Sequence, residues 1–474
     1  MSAPPIQAVP DPVDDPEAPI TDRDAAAAYV ASVCFKHGPP RLVGVELEWL
    51  VRHTEDPSRP LDPAALVRAL GPYTPPTLRP TGPGSPPTHP SAAPAPPPVS
   101  LPHGGTVTVE PGGQVEIASP PFPGLAELVE AVDADAAEIR HRLAGEGLTL
   151  VRRAADPLRP PRRLLDVPRY AAMEKAFDRI GPHGRTMMCS TAAVQVCLDA
   201  GEGDEVADRW NALHELGPVL TASFANSPAV HGRRTGWKSS RMASWLTLDP
   251  ERTSPPAISD GDPAAEWARR ALDTTLLGVR QGSAADPSPV PAAFTFSDWI
   301  EGRAPLGVRP VRADLDYHLT TLFPPVRPHS HVEVRYIDQQ PGDEWAVPAA
   351  VLTALFSDPA VLDRARAAVA PTVGRWAAAA RHGLADRVLR RGAGEVFELA
   401  YRVLADSAAP STVVDRVGRV VERRVLRGRC PADDALGEPG ESSLAAEAGD
   451  PYLTPDDPDP NPDPDIDSTD GGDR

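Results

Sequence analysis

Between Arg41 and Arg52 the chain alternates strictly: Val43, Val45, Leu47, Trp49 and Val51 fall on one side, Glu46 and Glu48 on the other. A period of two over this length predicts a strand with one buried face. The same signature returns at His331–Asp338, where Val332, Val334 and Tyr336 alternate with Glu333, Arg335 and Ile337. Two shorter runs, Thr106–Glu110 and Gln114–Ala118, flank Pro111-Gly112-Gly113, which reads as a tight connection. Met187–Leu198 is predicted as a further strand, and the run through Trp245 and Leu248 as another. Helical spacing covers Thr21–Phe35, with Thr21 expected as the cap and Asp24 as the acidic half of a capping box. It returns at Leu125–Ala144, at Asp204–Phe224 and through the Ala-, Arg- and Leu-rich stretch Pro348–Arg427. Short strands followed by helices, with no βαβ regularity and no internal repeat, predict an α+β domain on an antiparallel sheet.

Composition adds boundaries. The 474 residues, 41% apolar, suffice for one large domain or two smaller ones. Of 60 prolines, thirteen fall between Pro72 and Pro102. That density defeats helix and central strand alike, so residues 54–104 are expected to form an exposed, partly extended insertion. The net charge of −19 is also uneven, since residues 431–474 hold fourteen acidic side chains and one basic. This acidic tail is too poor in apolar residues to fold. Residues 1–20 are expected to be disordered, and 21–430 to be the folded domain.

The charge imbalance belongs to the tail, and the rest of the chain shows no basic stripe, which argues against nucleic acid as a partner. Cys34, Cys189, Cys197 and Cys430 show no CxxC or CxxH spacing, which suits a reducing cytoplasm. No basic, apolar leader opens the sequence, and no apolar run reaches the eighteen or so residues of a membrane span. A cytoplasmic protein without a membrane partner is the expectation.

The chemistry lies in carboxylates on the open faces of strands. Glu46 and Glu48, two apart, share one face; Glu110 ends a strand at the Gly-Gly turn; Glu116 shares a face with Gln114, and Glu333 with Arg335. On one sheet these would line a single surface that cannot stay ionised without cations. Mg²⁺ or Mn²⁺, with the phosphates of ATP, would satisfy it. Taken singly, each pair reads more readily as an ordinary exposed strand face, and it is the recurrence on three strands that favours the metal. Arg233, Arg234, Lys238 and Arg241 form a polar loop that could bind phosphate or carboxylate, or be a solvated turn. Gly232–Ser239 has the wrong spacing for a P-loop, and the twelve histidines show no HExxH arrangement. Cys189 and Cys197 have no local base motif and read as inert buried thiols.

Several runs together resemble the glutamate–cysteine ligases of the plant and bacterial type. They are Gly44-Val-Glu-Leu-Glu48, Val109-Glu-Pro-Gly-Gly-Gln-Val-Glu116, Phe224-Ala-Asn-Ser-Pro228, His318–Arg327 and Val332-Glu-Val-Arg335. The high Ala, Arg and Pro content narrows the resemblance to actinobacterial ligases that start ergothioneine synthesis. The resemblance implies a glutamine-synthetase-like carboxylate–amine ligase fold, a curved antiparallel sheet with flanking helices. It implies ATP-dependent joining of L-glutamate to L-cysteine, with metal on Glu46, Glu48, Glu110, Glu116 and Glu333. It carries the glutamate α-carboxylate onto Arg241, leaves Gln195 as a substrate contact, and makes Arg335 the cation on the transferring phosphoryl group. Where the plant-type pattern has an arginine before Val-Gln-Val, this chain has Ser190. Arg233 or Lys238 would then have to supply a substrate cation. Another amine acceptor, or a relative that binds metal and amino acid without catalysis, are the alternatives.

Overall fold

A computed structural model describes residues 15–78, 99–281, 284–289 and 293–435. In chain order its strands begin with β1 (Val43–Trp49), β2 (Val51–His53), β3 (Thr106–Val109), β4 (Val115–Ala118) and β5 (Leu148–Leu150). There follow β6 (Ala193–Leu198), β7 (Ala229–Val230), β8 (Arg233–Arg234), β9 (Gly278–Gln281), β10 (Ala284–Pro289), β11 (Val326–Pro328) and β12 (Val332–Asp338). Six of them make one sheet, in the order β11-β12-β6-β1-β4-β3, and every pairing in it is antiparallel. The remaining strands form three two-stranded ribbons.

The period-two runs explain this sheet. Val45, Leu47, Val194, Val196, Val334 and Ile337 are buried in the main core. Helices α3 (Leu125–Gly145), α7 (Gly217–Phe224) and Ala346–Leu355 pack against the sheet. Apolar alternation thus fixes which face is covered, and the glutamates are left on the other; Ile337, expected on the Glu333 face, departs from the pattern because β12 shifts register between Val334 and Ile337. The stretch after Trp345 is helical, as its composition predicts, with long helices at Arg387–Ala405 and Ser411–Arg423. No single helix among the described residues is long and apolar enough to cross a membrane. One bent pair, Ala346–Leu355 with Pro359–Thr372, passes on length and composition, but the first of these is a buried core helix.

Several predicted elements come out differently. The first helix, α1, runs Arg23–Cys34 and is capped by Asp22, whose carboxylate accepts from Ala25 N, so Thr21 is not the cap. Met187 and Met188 belong to a helix, α5 (His183–Ser190), and the strand begins only at Ala193. The run through Trp245 is also a helix, α8 (Ser240–Leu248), with Ser239 Oγ accepting from Met242 N. Its apolar positions fit either period, and the serine cap decides.

The segment boundaries shift too. Within the Pro-rich region, α2 (Pro63–Leu70) starts with proline at its first turn and buries Leu66 and Leu70 completely. Ile20 packs in the core and its N–H bonds Pro310 O. At the other end Pro431–Ala435 is a short helix whose Ala432 and Ala435 are fully buried. Residues 1–14, residues 79–98 of the insertion and residues 436–474 lie outside the described residues.

Candidate active site

Register alone brings the glutamates together. Glu48 stands opposite Glu116 across the β1–β4 ladder, and Thr108 opposite Glu116 across β3–β4. Glu46 stands opposite Gln195 across β1–β6, and Glu333 opposite Cys197 across β12–β6. Glu110 follows β3 at the turn, its N–H bonded to Gln114 O. That turn needs glycine: a Cβ on Gly112 would lie 2.1 Å from Cys189 O, and Gly113 has φ +89°. Gln114 ties the turn down, accepting from Gly112 N and donating to Met188 O and Thr191 O.

Glu46, Glu48, Glu110, Gln114, Glu116 and Gln195 line a cavity of about 280 Å³ with Arg169, Tyr170, Met173, Trp245, Arg327 and Arg335. Gln195 Nε2 donates to Glu46 Oε2 at 3.1 Å and to Glu48 Oε1 at 2.9 Å, while Ala193 N holds the other oxygen of Glu48. Thr108 Oγ1 donates to Glu116 at 2.5 Å.

The electrostatics separate the five carboxylates into two kinds. Burial, reinforced by Glu333 and Glu116, pushes Glu46 up to about 8. Burial and neighbouring Glu110 push Glu116 up to about 7. Glu48 is raised well above its usual range by burial, then by Glu116 and Glu110. Glu110 is raised by burial against the pull of Arg335. Glu333 goes the other way: burial opposes its charge, but Arg327 and Arg335 outweigh it and hold the carboxyl at about 2. Arg327 grips it through Nε at 2.7 Å and Nη2 at 3.2 Å, and Arg335 through Nη1 at 2.5 Å. Four glutamates that resist ionisation beside one carboxylate that two arginines keep ionised describe a face short of positive charge.

Hard carboxylate oxygens in this number suit Mg²⁺ or Mn²⁺. Among the described residues no three His, Cys, Asp or Glu side chains form a ready-made chelate. Mg²⁺ takes one or two carboxylates and completes its shell with phosphate oxygens and water, so a spread-out set of glutamates still fits a metal–nucleotide complex.

The site residues expected from sequence divide by position. Glu46, Glu48, Glu110, Glu116, Gln195 and Arg335 line the cavity, and Glu333 sits under Arg335. Arg241 does not reach it: α8 turns its side chain inward, 2% exposed, where Nη2 donates to Arg335 O and Nη1 lies 3.6 Å from Asp338. Arg233 is exposed on the β7–β8 ribbon. Lys238 is held by Asp433 at 2.6 Å. Neither lines the cavity. Two arginines enter from outside the predicted set: Arg327, and Arg169 on α4 (Pro168–Phe177), its Nη2 bonded to Thr320 O. Arg327 was visible only as the end of a motif, and nothing local marks Arg169, because a helix shows its partners only after folding. All four cysteines are free, and burial raises Cys34 to about 11 and Cys189 to about 12, out of reach of thiolate chemistry.

A sheet face of clustered glutamates with two arginines on one of them offers oxygens that suit polyvalent cations and guanidiniums that suit phosphate. The model of glutamate–cysteine ligase family 2 matches residues 42–447, and the chain belongs to that family. The glutamate–cysteine ligase EgtA of Mycobacterium tuberculosis H37Rv is 40% identical over 425 residues, covering 89% of this chain and 91% of the relative. EgtA of Mycolicibacterium smegmatis is 41% identical over 418 residues, covering 87% and 91%. The chloroplastic glutamate–cysteine ligase of Arabidopsis thaliana is 28% identical over 297 residues, covering 60% and 54%.

Proposed function

We propose that this protein is an ATP-dependent glutamate–cysteine ligase that forms γ-glutamylcysteine in the cytoplasm, at the first step of ergothioneine synthesis. The observation that carries the reading is the shared cavity of Glu46, Glu48, Glu110 and Glu116 with Arg335 and Arg327, in a chain so similar to EgtA over nearly its whole length.

In this reading the side-chain carboxylate of glutamate takes the γ-phosphoryl group of ATP, and the amine of cysteine then displaces phosphate from the acyl carbon. The work of the protein is positioning and charge compensation, since no protein nucleophile is required. Mg²⁺ ions held among Glu46, Glu48, Glu110, Glu116 and Glu333, with one or two carboxylates each, would supply charge neutralisation at the phosphates. Gln195 fixes Glu46 and Glu48 side by side. Arg335, with Nε free of any hydrogen-bond partner among the described residues and Nη1 on Glu333, is the fork that meets the transferring group, and Arg327 stands beside it. Arg169 offers a further fork for a substrate carboxylate or phosphate at the cavity wall.

The test is phosphate release with ATP, Mg²⁺ and glutamate, with and without cysteine, for wild type and Glu110→Gln. The expected result is cysteine-dependent release, a γ-linked dipeptide as product, and loss of both in the variant. Release that ignores cysteine would point to another amine acceptor, and no glutamate-dependent release would overturn the reading.

A further inference from the structure

Arg335 sits at an irregularity in its strand. Val334 pairs with Val196 and Ile337 with Val194, so β12 spends one residue more than β6 between the two pairs. This is a bulge, a device that re-aims a side chain at the cost of local ladder bonds. Arg335 N still bonds Pro325 O, on the β11 side, at 2.8 Å. Its carbonyl is taken by Arg241 Nη2 at 2.7 Å. Arg241 is fully enclosed and stacks on Trp245, with its guanidinium carbon 4.9 Å from the ring centroid, and that of Arg335 lies 6.0 Å from the same ring.

A buried guanidinium requires a counter-charge. Asp338 provides it, 3.6 Å away, at the far end of the bulge. The Asp338 carboxylate is itself held on both oxygens. Oδ1 accepts from Ser239 Oγ at 2.9 Å, and Oδ2 accepts from Asn226 N and Ser227 Oγ, both at 2.8 Å. The Asn226-Ser227 corner, the cap of α8 and the end of β12 therefore meet on one carboxylate.

We propose that Asp338 is a positioning residue for phosphoryl transfer, acting through Arg241 to hold the β12 bulge in the shape that points Arg335 at Glu333 and the cavity. The proposal rests on the role given to Arg335 above. Asp338 is not one of the residues lining the cavity; besides the route through Arg241 and Arg335, its backbone pairs with Ala193, whose N–H holds Glu48, and the double-mutant cycle separates the two routes.

A double-mutant cycle of Asp338→Asn with Arg335→Met tests this on two readouts: kcat, and affinity for inorganic triphosphate by calorimetry, which needs no turnover. Asp338→Asn is expected to lower kcat about 30-fold and to weaken triphosphate binding as Arg335→Met does, with the double variant no worse than Arg335→Met alone. Should Asp338→Asn fail to fold, Ser239→Ala removes one donor to Asp338, and the α8 cap with it, but keeps the charge, with an expected fall of about threefold to tenfold that again vanishes in the Arg335→Met background. Additive effects, or a folded Asp338→Asn protein with unchanged kcat and triphosphate affinity, would overturn the proposal. Absence of glutamate-dependent phosphate release in the wild type would sink the ligase reading while leaving the triphosphate-binding half of the cycle intact as a test of this one.

Discussion

Gln195 Nε2 lies 2.9 Å from Glu48 Oε1 and is shared with Glu46, so one amide spaces two carboxylates that repel each other. Gln195→Leu removes the donor and keeps the volume. The expected result is about tenfold weaker binding of Mn²⁺, as for other groups that orient metal ligands from behind. A Mn²⁺ titration followed by electron paramagnetic resonance measures it, and unchanged affinity would show that Glu46 and Glu48 hold their places without the amide.

Stability should depend on pH in a direction set by the cavity. Glu46 at about 8 and Glu116 at about 7 lie above their ordinary 4.5. Raised carboxyls bind more protons folded than unfolded across that interval, so unfolding free energy falls as pH rises. Metal-free protein is expected to lose melting temperature from about pH 5 to about pH 8, and Mg²⁺ to restore more at the upper end, where fewer protons compete. Glu333, held at about 2, acts oppositely and withdraws stability only below its ordinary 4.5. Thermal unfolding in EDTA and in Mg²⁺ at both ends decides; a melting temperature in EDTA that rises across the window contradicts the assignment.

Gly112→Ala places a methyl group against the backbone of Cys189, at 2.1 Å from its carbonyl oxygen. Backbone cannot step aside as a flexible side chain can. Destabilisation of about 3 kcal/mol or more is expected, with loss of activity because Glu110 and Glu116 flank this turn. Urea unfolding of the variant gives the number.

Two truncations should behave differently. A chain ending at Ala435 sheds most of the acidic segment and touches no described contact, so activity and melting temperature are expected to stay at wild-type values. A chain ending at Cys430 loses buried Ala432 and Ala435, the Ala432 N to Ala225 O bond and the Asp433 partner of Lys238. It is expected to lose about 2 kcal/mol of stability. Equal stability of the two proteins would show that the last helix contributes nothing.

Much of the site was legible because a sheet with one dry and one polar face repeats every two residues. Glu46, Glu48, Glu116 and Glu333 were placed on open strand faces by alternation alone, and Glu110 by the Gly-Gly turn beside it. The misreadings have physical causes. Met187–Ser190 and Ser240–Leu248 are short helices whose apolar spacing suits a strand equally well. Pro63–Leu70 looked unstructured in a proline-rich setting, although proline in the first turn of a helix is tolerated. Lys238 looked like a free cation because its partner, Asp433, lies nearly two hundred residues on, in a segment that composition marked as unstructured.

What the sequence by itself determined is the periodicity of its strands, the charge on their open faces and the family to which its motifs belong, since each is a property of neighbouring residues. Which carboxylates share a cavity, that Arg327 and Arg335 close on one glutamate while Arg241 turns inward to Asp338, and that Arg169 arrives from a helix, only the tertiary structure decided. Those relations depend on strand register and helix packing, which bring together residues with no pattern in common along the chain.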